Sequence, residues 1–219
     1  MKVYSAIFFW FGGVLTASLL ERTLAELIPG VKGNAVIPFR QKIRSLAGDI
    51  PMGKIASQQY CQQAITVCQS NLGAPELASK ISAAASLNES VAGLIARVPA
   101  SYERWLVVDY PADWYQELAA RWKLGSLFQE NRTVFTAQLK LLRLIPDIFY
   151  HLPQEAGRAM DDCLVIDPES ARSVEAMKHG LATIIYVYPE RLKHELALQG
   201  IWQTEANVLH PAASERVSL

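Results

Sequence analysis

The sequence predicts an α/β protein: a doubly wound parallel sheet with an α-helical cap inserted after its first strand. Three observations carry that prediction. An apolar run over residues 3–10 ends at Gly12-Gly13 and passes into a helical pattern, as a buried strand does when a tight turn feeds a helix. Residues 34–97 then contain no convincing strand and keep helical spacing. From Trp105 onward, short apolar runs alternate with helical patterns, which implies parallel strands joined by crossovers.

Each element has its own signal. Leu19, Leu20, Leu24 and Leu27 fall at helical spacing until Pro29-Gly30 stops the pattern. Ile37, Ile43, Leu46, Ile50 and Ile55 are also spaced for helices, with breaks at Gly48 and Pro51-Met52-Gly53. Further helices are predicted over 55–72, 75–85 and 87–98. Trp105-Leu106-Val107-Val108-Asp109 reads as the second strand. Pro111 opens a helix that puts Trp114, Leu118 and Trp122 on one stripe and ends before Gly125. That stripe is read as core, since large aromatics dominate burial. A strand at 133–136, a helix near 148–156 and the strand Cys163-Leu164-Val165-Ile166 follow. Asp167-Pro168-Glu169 opens a helix through Lys178 that His179-Gly180 closes, 182–187 is the last strand, and Pro189 starts the last helix. The expected organisation is an α/β core over 1–16 and 99–202, a helical cap over 17–98, and a polar tail over 203–219.

Composition narrows the function. The chain has 219 residues, 51% of them hydrophobic and 19% charged, enough for a sizeable core. Its 21 basic and 21 acidic residues balance, so nothing favours nucleic acid or an anionic membrane surface. Cys61, Cys68 and Cys163 lack CxxC spacing and read as small apolar residues of a reducing compartment. The four histidines are scattered without metal-ligand spacing. Lys2 and the apolar stretch 6–15 imitate an export signal with Ala17 at the cut, but Leu15 is a poor residue three positions before it. The stretch is also shorter than the ~20 apolar residues a membrane span needs. A cytoplasmic protein without membrane insertion is expected.

In open α/β sheets ligands bind at the carboxyl ends of the strands, so Trp10, Phe11 and Gly12 are expected to face any site. None of the three is an acid, base, nucleophile or metal ligand. Gly12-Gly13 fits a tight turn and lacks the further glycine and the lysine of a phosphate-cradling loop.

Four segments resemble the haloacid dehalogenase-like (HAD) hydrolases: Ile7-Phe8-Phe9-Trp10-Phe11-Gly12-Gly13-Val14-Leu15, Leu106-Val107-Val108-Asp109-Tyr110-Pro111, Leu142-Arg143-Leu144-Ile145-Pro146-Asp147-Ile148-Phe149, and Cys163-Leu164-Val165-Ile166-Asp167 with Val174-Glu175-Ala176 and Gly180. The resemblance implies a Rossmann-like core with a helical cap. It also implies an aspartate nucleophile ending the first strand, forming a covalent ester. Phosphatase members add a second aspartate two residues on, a Ser or Thr ending the second strand, a lysine, and Mg²⁺-binding acids after the fourth strand.

Against that pattern the chain departs at nearly every position. Trp10 stands for the nucleophile, Gly12 for the acid/base and Val108 for the Ser/Thr. The lysine position falls on Ile145, or on Arg143 if the local loop is shorter. Of the metal-binding acids only Asp167 remains, which either caps the helix begun by Pro168 or holds a metal. Asp109 is expected to cap the helix after Pro111, and Glu169 to face the next helix dipole in its first turn. Arg143 reads as solvated or salt-bridged, with anion binding as the rival.

Losing one transition-state donor costs roughly 10²–10³ in rate, and losing the nucleophile costs more. The sequence therefore predicts a catalytically inactive HAD-like pseudoenzyme, acting as a binding, structural or regulatory subunit through its cap helices or tail. No cofactor is expected, and Mg²⁺ only if hydrolase activity survives. The rivals are a hydrolase using Asp109 or Asp167 as nucleophile, and a sensor of a small anion or aromatic molecule.

Overall fold

A computed structural model describes residues 4–49, 54–129, 131–136 and 145–201, without the side chains of 47–49 and 145–148. The strands are β1 (Ala6–Trp10), β2 (Glu103–Val108), β3 (Thr133–Phe135), β4 (Cys163–Asp167) and β5 (Ala182–Ile185). They form one sheet in the order β3-β2-β1-β4-β5, every pair parallel. All five residues of β1 and of β4 are buried, which explains their apolar lettering up to Asp167 at the end of β4. A parallel sheet is covered on both faces, so alternation disappears.

Between β1 and β2 lie α1 (Leu19–Leu27), α2 (Ile37–Asp49), α3 (Ser57–Cys68), α4 (Ala74–Ala83) and α5 (Glu89–Ala96). After β2 come α6 (Ala112–Arg121), α7 (Ile145–Glu155), α8 (Ser170–Lys178) and α9 (Pro189–Leu198). Local chemistry sets the helix starts. Ser18 accepts from the Glu21 amide ahead of α1, and Asn88 from the Val91 amide ahead of α5. Proline stands in the first turn of α4 and of α9.

The core runs from the sheet into the helical segment without a break. Phe8 stacks on Trp105, and Tyr60 of α3 meets Trp114 of α6 edge-on. Cys61, Cys68 and Cys163 are buried and unpaired. The predicted tail at 203–219 lies outside the described residues. Among the described residues no helix is long and apolar enough to cross a membrane.

Candidate functional site: the head of the parallel sheet

The strand order reverses between β1 and β4, and their carboxyl ends mark the crevice where such sheets bind ligands. Register decides what stands there. Trp10 ends β1 opposite Val107, and the pairing of Phe9 with Ile166 carries Asp167 to its other side. Beyond Trp10 the chain turns tightly: Gly13 donates to the Thr16 carbonyl, and Leu15 and Thr16 donate back to the Phe11 carbonyl. Gly13 has φ +90°, and a Cβ there would meet Pro168 at 2.6 Å. That explains glycine at this position.

Trp10 is 1% exposed. Over its ring lies the Arg172 guanidinium, with the central carbon 3.7 Å from the centroid, within cation–π range. Arg172 grips fully buried Asp167: Nε donates to Oδ2 at 2.5 Å and Nη2 to Oδ1 at 2.6 Å. The Glu169 amide adds a third bond to Oδ1 at 2.7 Å. Asp109, one residue past β2, accepts from the Gly12 amide at 3.2 Å. Burial pushes its carboxyl above the ordinary range, while the nearby Arg172 charge acts in the opposite sense. The buried Trp10 Nε1–H faces this carboxylate without closing a hydrogen bond of ordinary geometry.

Several expectations change here. Phe11 does not face the crevice; it is fully buried against Tyr110, Tyr115 and Trp122. Asp109 does not cap the next helix. Pro111 holds the cap position of α6, and the Asp109 carboxylate instead reaches back to the β1 turn. A Cβ on Gly12 would stand 2.8 Å from that carboxylate, so the close approach requires glycine. Asp167 bonds an amide two residues on, as a cap would. Yet α8 begins at Ser170 with Glu169 as its cap residue, and Arg172 is the main partner of Asp167. Glu169 stands one place before the first turn, not within it.

Val108 is fully buried at the end of β2 and offers no hydroxyl. Arg143 lies outside the described residues, as does the side chain of Ile145, the first residue of α7. Sequence reasoning missed Arg172. Its one available signal was a basic residue in the first turn of a helix, where the helix dipole disfavours positive charge.

Mg²⁺, which the resemblance attaches to phosphatase members, does not fit these residues. It demands oxygen donors in near-octahedral array. Both Asp167 oxygens are bonded to a cationic side chain, and an indole stands beside them. Among the described residues no three His, Cys, Asp or Glu gather in a way that could hold a metal ion. The cysteines supply no substitute nucleophile, because burial pushes the Cys61 thiol up to about 12 and the Cys163 thiol up to about 11.

A groove of about 460 Å³ lies elsewhere, between α3, α4 and α6. Its lining includes Ser57, Ser82, Asp113, Glu117 and Arg121 but none of the strand-end residues. Asp113 accepts from the Ser57 amide at 2.9 and 3.0 Å and from its hydroxyl at 2.6 Å. It thereby does from α6 the capping that Ala56 cannot do for α3. Glu117 accepts from Ser82, and Arg121 donates to the Ser82 carbonyl at 3.0 Å.

The sequence matches no protein-family model and no curated protein. Solved structures do match. A predicted HAD-like family hydrolase from Porphyromonas gingivalis aligns at TM-score 0.66 and 17% identity, over 92% of this chain and 100% of that one. A HAD family enzyme from Bacteroides thetaiotaomicron, also solved with magnesium and inorganic phosphate, aligns at TM-score 0.64 and 14% identity over 89% and 99%. L-2-haloacid dehalogenase from Xanthobacter autotrophicus, with chloropropionic acid covalently bound, aligns at TM-score 0.60 and 16% identity over 92% and 85%. At such identities the likeness is one of architecture: the chain has the haloacid dehalogenase-like fold, a Rossmann-like parallel sheet flanked by helices.

Proposed function

We propose that this chain is a non-hydrolytic HAD-fold protein that acts by binding, as a structural or regulatory subunit in the cytoplasm. One observation carries the reading: a buried indole under a paired guanidinium stands at the head of β1, where the family resemblance puts the nucleophilic aspartate. The lone pair of an indole nitrogen is delocalised into the ring and does not attack phosphorus or carbon as a carboxylate does. Asp167 has both oxygens committed to Arg172. The Asp109 carboxylate is turned back onto the β1 turn, where it accepts from the Gly12 amide.

The helical segment supports the same reading, since it is tied to the sheet on both sides. Thr16 donates to the Ser86 carbonyl, Tyr110 to the Ala17 carbonyl, and Ser57 to Asp113. Binding of a protein partner through the exposed faces of α1–α5 or through residues 203–219 is the role left to such a scaffold; fold alone does not choose the partner.

Turnover of phosphate monoesters and of 2-haloacids, assayed with and without Mg²⁺, tests the proposal. No turnover above background is expected for the wild type. Metal-dependent hydrolysis abolished by Asp167→Asn, or a covalent phosphoryl or acyl adduct on Asp109, would overturn it.

A further inference from the structure

We propose that the Arg172 guanidinium is a built-in cation, permanently holding the seat beside Asp167 that a divalent metal takes in metal-using proteins of this fold. The inference is independent of the proposed function, because a metal-free hydrolase would leave it standing.

The geometry argues for it in three steps. Asp167 is fully buried at the end of a central strand, and a carboxylate there requires a cationic or donor-rich partner. Arg172 supplies two donors in one plane, the fork geometry that matches a carboxylate. The face of the guanidinium rests on Trp10 at 3.7 Å, and the second carboxylate, Asp109, lies within its electrostatic reach.

Arg172 therefore has an anion on one side, a π-face beneath it and a further anion nearby. Its place in the chain sharpens the point. It lies in the first turn of α8, against the preference of the helix dipole, so the Asp167 pair and not the helix fixes it there. A guanidinium does not deprotonate in proteins. Unlike a bound metal it cannot be chelated away, and its charge repels any divalent ion that approaches the same two carboxylates.

Mn²⁺ binding, read by water-proton relaxation and by the shift in melting temperature between EDTA and millimolar MnCl₂, tests the idea without an activity assay. Wild type is expected to show neither binding nor a metal-dependent shift. Arg172→Lys keeps the charge and should stay metal-blind. Arg172→Gln should melt lower and gain Mn²⁺ affinity by at least about tenfold, as removal of a repelling unit charge requires. Asp167→Asn in that background should erase the gain.

Mn²⁺ binding by wild type that Asp167→Asn abolishes would overturn the inference. So would a folded Arg172→Gln chain that binds no Mn²⁺, since the seat would then not be a cation seat. Should Arg172→Gln fail to fold, the wild-type and Arg172→Lys arms decide alone.

Discussion

Two polar clusters of this molecule behave in opposite ways. At the head of the sheet, Asp167 and Arg172 pair with each other across a strand end and a helix start, and the guanidinium lies over the ring of Trp10 from β1. At the seam between α3, α4 and α6, Ser57 bonds Asp113 and Ser82 bonds Glu117 and Arg121, joining segments 56, 35 and 39 residues apart. In the first cluster Asp167 and Trp10 are buried. The second is exposed, spans two parts of the fold and leaves a groove of about 460 Å³ between them. The difference teaches that a groove and the strand-end crevice of a parallel sheet need not coincide: among the described residues Trp10 and Arg172 pack at the strand ends, and the groove lies where the helices meet the core.

Trp10→Ala breaks the comparison most directly. It deletes a fully buried indole and the platform under Arg172, and large-to-small changes of this kind cost about 3–5 kcal/mol. Urea denaturation should show that loss with an unchanged m-value. A loss below about 1 kcal/mol would mean that the head of the sheet collapses easily around the gap, and that it is not the tightly filled region described here.

At the seam the expected effects are smaller. Asp113→Ala removes three hydrogen bonds from the start of α3, the equivalent of losing a helix cap, which costs ~1 kcal/mol. The loss should be local as well as global, with faster hydrogen exchange at the first amides of α3. Equal exchange in wild type and variant would show that α3 does not depend on α6 for its cap.

The sheet was largely legible in the sequence because burial on both faces writes strands as apolar runs: residues 6–10 and 163–166 could hardly be read otherwise. The helical segment was legible through leucine and isoleucine spacing, and Trp114 and Leu118 through their shared stripe. The site was legible only as a set of missing groups. Arg172 takes its meaning from Asp167, five positions earlier across a strand end and a helix start, and no local pattern announces such a pair. Asp109 looked like a cap because Pro111 follows it, yet the closeness of the β1 turn, set by Gly12, won its carboxylate. Ser57 and Asp113 meet only after the chain has folded back on itself.

The subtlest comparison is between the two carboxylates at the head of the sheet. Asp167 has a guanidinium and an amide on its oxygens; Asp109 has the Gly12 amide and more distant charge. Burial raises the Asp109 carboxyl above its unfolded value, so the native state takes up this proton at a higher pH than the unfolded chain does. By linkage its contribution favours folding below the unfolded carboxylate range and is lost as pH rises through the folded value. Asp109→Asn keeps an oxygen for the Gly12 amide and removes the titration. The variant should therefore match or exceed wild type in stability at pH 7 and lose that advantage toward pH 4, as wild-type Asp109 protonates. Denaturation midpoints across that window read the difference as a slope. The opposite slope, with wild type gaining on the variant as pH rises, would mean that Arg172 outweighs burial at Asp109 and serves both carboxylates as a counter-ion.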